Sequence, residues 1–337
     1  MRTTSIQLEG SAPMKPLVSV LGMGCAPMLG RANRTESVRA LEVAFDLGVN
    51  FFDTARSYGY GECEGLLGEF MAGKGRDRFV ICTKFGILPP ASKNWKQRLK
   101  PLTRAAIRAF PGLGRIARKQ AGGLLTYSQF SVATLKASFE ASLRELKTDY
   151  VDLLLMHSAP ASTLEQDDVL ESMGRLVSAG KVRLAGISAN HDVMRKVFRQ
   201  QHNTLRAGQF PINLSMMDLA RETLGASRSM FLVANHPFGG PDGIAYCQKQ
   251  IESMLLSPDL PHSLRQKLDP DDPQLLPELV LNSILEGTGI SAVIPAMLQP
   301  QHIERNICAV ENCRFSAGEL AAVRAYFCSA PKEVSSP

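Results

Sequence analysis

Short apolar runs alternate with amphipathic segments along most of this chain, and few folds accept that order. Runs that are apolar at nearly every position are typical of parallel strands buried on both faces. Strands that alternate with helical patterns predict an α/β fold, and a count of eight favours a (β/α)8 TIM barrel. The eight predicted strands are 17–24, 50–55, 78–85, 150–157, 182–188, 207–212, 230–235 and 290–296.

The length of 337 residues fits one barrel, because this fold often exceeds the usual size of a domain. We expect an N-terminal segment at 1–16, a single catalytic barrel at 17–330 and a flexible tail at 331–337. Two connections, at about 86–129 and 236–277, are much longer than the usual two to about six residues. Both follow strands, so the pattern predicts long loops over the C-terminal face of the barrel.

Two predicted helices begin with residues that favour helix N-termini. Thr35 precedes an amphipathic stretch that ends at Gly48, and Ser131 precedes another. Hydroxyl side chains cap exposed backbone N–H groups at such positions. We therefore expect Thr35 and Ser131 to be N-caps.

The net charge of +6 is unevenly distributed. Nine Lys and Arg residues and no Asp or Glu lie between Ile87 and Phe130, and the rest of the chain is slightly acidic. The basicity is therefore a property of one insertion, and we expect no nucleic-acid partner. The insertion has three interpretations: a mouth that attracts an anionic substrate, a solvated amphipathic helix, or a contact with an acidic surface or membrane.

Composition limits the remaining classes. No apolar run approaches the roughly 18 residues that a membrane span requires, and the N-terminus lacks the apolar core of a signal peptide. The seven cysteines form no CxxC pair and show no zinc-type spacing. We expect a cytoplasmic protein with reduced thiols, no bound metal and no membrane span.

Polar side chains end three neighbouring apolar runs. Asp53 and Tyr58 follow the second predicted strand, Lys84 the third and His157 the fourth. In a parallel barrel the active site forms where the carboxyl ends of the strands meet. An acid, a base and a phenol at that face predict an enzyme that moves protons.

Several spaced motifs resemble the aldo-keto reductase family. They are NFFDTARSYGYGECEG with the following CTKFG, SLRELKTDYVDLLLMH, and then GISAN, GQFPINL, HPFGG and VIPAMLQPQHIERN, in the family's order. The resemblance spans most of the chain outside the two insertions. It implies an NADPH-dependent carbonyl reductase on a (β/α)8 barrel, with Asp53, Tyr58, Lys84 and His157 as its catalytic residues.

Carbonyl reduction needs a hydride on carbon and a proton on oxygen, and the cofactor carries only the hydride. Tyr58 is the expected proton donor, and we expect Lys84 to lower its pKa. Asp53 would hold Lys84 charged and oriented. His157 would donate a hydrogen bond to the carbonyl oxygen.

The resemblance also implies a set of cofactor contacts: Gly24, Ser188, Gln209, Phe238, Gly240, His302 and Asn306. Gln209 and Ser188 match positions that bind the nicotinamide carboxamide, and Asn306 matches one that contacts adenine. The segment from Phe238 to Gly240 suits a pyrophosphate.

This chain departs from the family pattern at four positions of the expected cofactor site. Ala189 replaces an Asn, and Asn235 replaces an aromatic residue that often stacks on the nicotinamide. Ala296 and His302 replace Lys and Arg that often bind the 2′-phosphate of NADPH. Two alternatives remain open: Arg305 substitutes for the missing cations, or the protein accepts NADH. NADPH is the expected cofactor.

The expected partner is a small carbonyl substrate, with an anionic one as an option, and the oligomeric state stays open. Two other functions remain. One is an NAD-dependent sugar or polyol dehydrogenase, favoured by the missing phosphate-binding cations. The other is a cofactor-binding regulatory subunit with little turnover, like the potassium-channel β subunits that resemble the same family.

Overall fold

The computed structural model describes residues 1–4, 17–90, 125–200, 202–225 and 230–329. Within them, eight parallel strands form one sheet in sequential order, with helices between most of them. A parallel bridge joins Leu21, two residues before the first strand of the sheet, to Val293 in the last strand. The (β/α)8 barrel predicted from the sequence is therefore confirmed.

Ten strands are described, of which β3 to β10 form the barrel. They are β1 Thr3–Thr4, β2 Val18–Ser19, β3 Met23–Gly24, β4 Phe51–Asp53, β5 Val80–Phe85, β6 Val151–His157, β7 Val182–Ser188, β8 Ala207–Pro211, β9 Phe231–Asn235 and β10 Ala292–Ile294. Each predicted apolar run contains one barrel strand.

The helices pack around the outside of the barrel. Those described are α1 Arg34–Asp46, α2 Cys63–Met71, α3 Val132–Leu146, α4 Asp167–Ser178, α5 His191–Gln200, α6 Met217–Leu224, α7 Gly240–Leu256, α8 His262–Arg265, α9 Leu275–Leu285, α10 Pro300–Glu311 and α11 Ala317–Ser329.

The barrel has two apolar layers because successive strand residues point to opposite faces. In β5, Val80 and Cys82 join an inner cluster, whereas Ile81 packs in the outer cluster beneath the helices. Lys84 continues the inward series of β5. Because alternate residues of a strand face the same side, the charged side chain of Lys84 points into the barrel, like Val80 and Cys82.

The first predicted strand, 17–24, is divided in the structure. Val18–Ser19 pairs antiparallel with Thr3–Thr4, and only Met23–Gly24 pairs with β4. The Ser19 hydroxyl donates to the Leu21 carbonyl at 2.8 Å and accepts from the Asn50 amide at 3.1 Å. These side-chain hydrogen bonds take the place of backbone strand-pairing bonds where the chain leaves β1 and begins to pair with β4.

One of the two predicted helix caps is wrong. Asn33, not Thr35, caps α1, because its side chain accepts from the Glu36 amide while the Glu36 carboxylate accepts from the Asn33 amide. This reciprocal capping box fixes the start of the helix two residues earlier. Ser131 caps α3 as predicted, by accepting from the Thr134 amide.

The connection at 236–277 contains α7 and α8 rather than a continuous loop. Most of the basic insertion (91–124) and the tail (330–337) lie outside the described residues, as does 5–16. None of the described helices has the length and apolar character needed to cross a bilayer.

Candidate active site

The four polar residues that end the apolar runs meet at one end of the barrel. Asp53 is the last residue of β4, and Tyr58 begins a 3-10 turn at Tyr58–Gly61. Lys84 lies one residue before the end of β5, and His157 is the last residue of β6. Neighbouring parallel strands therefore bring these side chains together, as the sequence predicted.

The Lys84 ammonium is the centre of this cluster. Its Nζ lies 2.6 Å and 2.7 Å from the two oxygens of Asp53, and it donates to the Thr54 carbonyl at 3.0 Å. It also donates to the hydroxyl oxygen of Tyr58 at 3.2 Å. Lys84 is 1% exposed and Asp53 3% exposed. A buried ion pair is thus directly hydrogen-bonded to a phenol.

The charge on Lys84 is retained despite burial. Burial is the largest single effect and lowers the pKa of the ammonium, but the Asp53 carboxylate, Tyr58 and Cys82 together outweigh it. The net result raises the pKa of Lys84 above its ordinary value. Lys84 is therefore a permanent cation beside Tyr58.

Lys84 lowers the pKa of Tyr58, as expected, but burial acts more strongly in the opposite direction. Burial raises the pKa of Tyr58, and the Asp53 charge raises it further, whereas Lys84 lowers it. Burial is the largest effect, so the pKa rises to about 12. Tyr58 is protonated at neutral pH, and the Lys84 bond to its oxygen leaves the hydroxyl proton free to be donated elsewhere.

His157 stands beside Tyr58 as a neutral imidazole. The two rings are edge-on, with centroids 5.6 Å apart. Burial lowers the pKa of His157 to about 3, and the charge on Lys84 contributes. Among the residues that the structure describes, its buried Nδ1 has no hydrogen-bond partner. Buried polar atoms are usually hydrogen-bonded, so this nitrogen can form a hydrogen bond with a polar group of a ligand next to Tyr58.

A second hydrogen-bond chain reaches the cluster from the far side of the barrel. The Ser188 hydroxyl donates to Gln209 Oε1 at 2.9 Å, and Gln209 Nε2 donates to Asp53 Oδ1 at 2.8 Å. Both residues are buried on the adjacent strands β7 and β8. The bond from Gln209 to Asp53 was not predicted, because 156 positions separate the two residues and only barrel closure brings them together.

The predicted pyrophosphate segment lies at the N-terminus of α7. Phe238 is partly buried, and Gly239 and Gly240 have positive φ angles of 64° and 72°. A Cβ on Gly240 would meet no atom within 4 Å. The positive end of a helix dipole at an open surface suits an anion, so this segment fits the group implied for it.

The remaining predicted contacts border the same face or lie on α10. Gly24 is the last residue of β3 and pairs with Asp53, and a Cβ at this position would lie 3.1 Å from the Ile294 carbonyl. His302 is exposed in the first turn of α10, whereas Asn306 is buried one turn later. Ala296 is exposed and precedes that helix. Ala296 and His302 therefore bring no Lys or Arg to the predicted 2′-phosphate site, and the exposed Arg305 lies on the same helix as His302.

Comparisons with known proteins agree with this architecture. Residues 20–226 match the model of the Aldo/keto reductase family. Probable aldo-keto reductase 1 of Glycine max is 28% identical over 218 residues, or 63% of this chain and 53% of that protein. The chain therefore spans about half the length of this curated relative.

Two solved structures share the fold. Aldo-keto reductase AKR11C1 from Bacillus halodurans, in its holo form, superposes with a TM-score of 0.66 at 22% identity, covering 98% of this chain and 99% of that one. An aldo-keto reductase from Klebsiella pneumoniae in complex with NADPH has a TM-score of 0.63 at 21% identity, covering 99% and 98%.

Proposed function

Because the chain belongs to the aldo/keto reductase family, we propose that it reduces an aldehyde or ketone to an alcohol with a nicotinamide cofactor, and that Tyr58 is the proton donor. The observation that carries the proposal is the continuous hydrogen-bonded series from Tyr58 through Lys84 to Asp53. Lys84 donates to both of its neighbours in that series, so the Tyr58 oxygen is an acceptor and the hydroxyl proton remains available for the substrate.

Each residue of the series has a distinct task. Tyr58 gives its hydroxyl proton to the carbonyl oxygen, and Lys84 stabilises the phenolate that remains. Asp53 keeps Lys84 charged and directs its Nζ. His157 is neutral, so it can donate one N–H bond to the carbonyl oxygen without competing as a proton source.

The bound nicotinamide supplies the hydride for this chemistry. Ser188 and Gln209 are proposed to hold its carboxamide, and Phe238 and Gly240 its pyrophosphate. Gly24 lies at the same face, and His302 and Asn306 on α10 are proposed for the adenosine end. NADPH is the proposed cofactor, supported by the NADPH complex of the Klebsiella pneumoniae neighbour.

Separate titrations with NADPH and NADH, followed by a panel of neutral and anionic carbonyl compounds, test the proposal. We expect tighter binding of NADPH and turnover of at least one carbonyl. Binding of neither cofactor, or binding without turnover of any carbonyl, would overturn the reductase assignment. The second result would instead favour a regulatory subunit.

One observation favours a second candidate, an NAD-dependent sugar or polyol dehydrogenase. The uncharged Ala296 and the exposed His302 stand at the two positions where family members often carry Lys and Arg. Neither of these two positions therefore offers a 2′-phosphate the Lys or Arg donor that forms charge-assisted bonds. If NADPH is the cofactor, His302→Arg should tighten its binding about tenfold and leave NADH unchanged. A wild-type preference for NADH would support the dehydrogenase.

A further inference from the structure

Glu64 is a buried carboxylate next to the proposed catalytic residues but separate from them. It lies in the first turn of α2 and is 1% exposed. The Thr83 hydroxyl donates to its Oε1 at 2.6 Å, and Arg56 Nη1 donates to its Oε2 at 2.5 Å. Each carboxylate oxygen therefore binds a different segment of the chain.

Those two segments carry Tyr58 and Lys84. Arg56 lies two residues before Tyr58, and Thr83 directly precedes Lys84 in β5. The backbone amide of Arg56 also donates to the Lys84 carbonyl at 3.4 Å. The carboxylate of Glu64 thus ties the Tyr58 turn to the strand that presents Lys84.

The Tyr58 turn needs such a tie because its own backbone is strained. Gly59 and Tyr60 both have positive φ angles, of 56° and 60°. A non-glycine residue in that region persists only when its surroundings hold it there. A Cβ on Gly59 would lie 3.0 Å from both the Leu29 Cβ and the Met28 carbonyl, so the turn is also closely packed.

We propose that Glu64 is a positioning residue that sets the separation of the Tyr58 hydroxyl from the Lys84 ammonium, an inference that rests on the proposed reductase function. Glu64 touches neither of these groups. It acts through Arg56 and Thr83, and the effect of its loss should appear in the chemical step. Displacements of about 1 Å in a reacting constellation can cost as much as 100-fold in rate.

Steady-state kinetics of two variants test the inference. Glu64→Gln neutralises the partner of Arg56, and Thr83→Val removes only the hydroxyl bond at nearly constant volume. We expect each to lower kcat about tenfold. The KM for the carbonyl and the Kd for NADPH should stay within about twofold, because neither group contacts Glu64.

Two controls separate positioning from folding. Glu69 is exposed on the same helix and pairs with Arg34, so Glu69→Gln should keep the wild-type kcat. Thr83→Ser keeps a hydroxyl and should restore most of the activity lost in Thr83→Val. If Glu64→Gln does not fold, the two Thr83 variants decide.

Unchanged kcat in Thr83→Val and in any folded Glu64→Gln would overturn the inference while leaving the reductase function intact. Equal losses of kcat and NADPH affinity would also overturn it, because they indicate general disruption. A wild-type protein that binds NADPH but reduces no carbonyl would overturn the proposed function instead, and this inference with it.

Discussion

Lys84 donates a hydrogen bond to the Tyr58 hydroxyl oxygen over 3.2 Å while the same nitrogen lies 2.6 Å from Asp53. The oxygen of Tyr58 therefore accepts, and its proton points away from the ion pair. Burial makes the phenol a weaker acid than usual, and Lys84 only partly offsets this. Tyr58 therefore keeps its proton at neutral pH.

Tyr58 should titrate far above an ordinary tyrosine. The pKa of about 12 predicts no Tyr58 phenolate near pH 10, where free tyrosine is half ionised. The measurement is tyrosinate absorbance of the wild-type protein minus that of Tyr58→Phe, with circular dichroism confirming the fold at each pH. A difference signal with a midpoint at or below pH 10 would contradict the account.

His157 should make the protein less stable in mild acid. Its pKa is about 3 in the folded protein and about 6.5 in the unfolded chain, so below pH 6.5 the unfolded state binds a proton that the folded state does not. The free energy of unfolding therefore falls as the pH falls. From pH 7 to pH 5 this group accounts for a loss of about 2 kcal/mol.

Urea unfolding of wild type and His157→Gln at the two pH values measures that loss. The variant should lose about 2 kcal/mol less than wild type. His262 is exposed on α8, and His262→Gln serves as the matched control with the wild-type loss. Identical losses in wild type and His157→Gln would show that His157 is not the responsible group.

The sequence indicated the barrel and its catalytic end because strand-length apolar runs stop at Asp53 and His157, and parallel strands end on the same face. It could not indicate the pKa of Tyr58, because burial by distant segments sets that value. The bond between Gln209 and Asp53 likewise needs closure of the barrel. The local pattern of apolar and polar residues predicts where strands end, whereas contacts across the barrel depend on the complete fold.

Asp152 should stabilise the fold, and it lies near the start of β6, at the other end of that strand from His157. It is fully buried, with Arg76 at 2.7 Å, Arg183 at 2.9 Å and the Ile81 amide at 2.8 Å. Asp152→Asn leaves two cations without their carboxylate and should lower the free energy of unfolding by about 3 kcal/mol.

Denaturant unfolding of Asp152→Asn against Asp149→Asn checks this expectation. Asp149 lies just before the same strand and is exposed, so its variant should stay within about 0.5 kcal/mol of wild type. Equal stability of the two variants would mean that the buried cluster around Asp152 does not hold the barrel.

The start of α1 can be tested in the same way. Asn33→Ala removes the capping box and should cost about 1 kcal/mol. Thr35 is exposed inside the helix, so Thr35→Ala should be neutral or slightly stabilising. Thermal unfolding of both variants distinguishes the two caps, and a larger loss in Thr35→Ala would place the cap at Thr35 instead.

The most direct test of Tyr58 as proton donor is single-turnover carbonyl reduction by Tyr58→Phe with NADPH already bound. Removal of a general acid typically costs at least about 100-fold in rate, and phenylalanine preserves the ring that packs against His157. The account predicts a loss of that size with the NADPH dissociation constant within about twofold of wild type. A variant that keeps most of the wild-type rate would contradict the assignment of Tyr58.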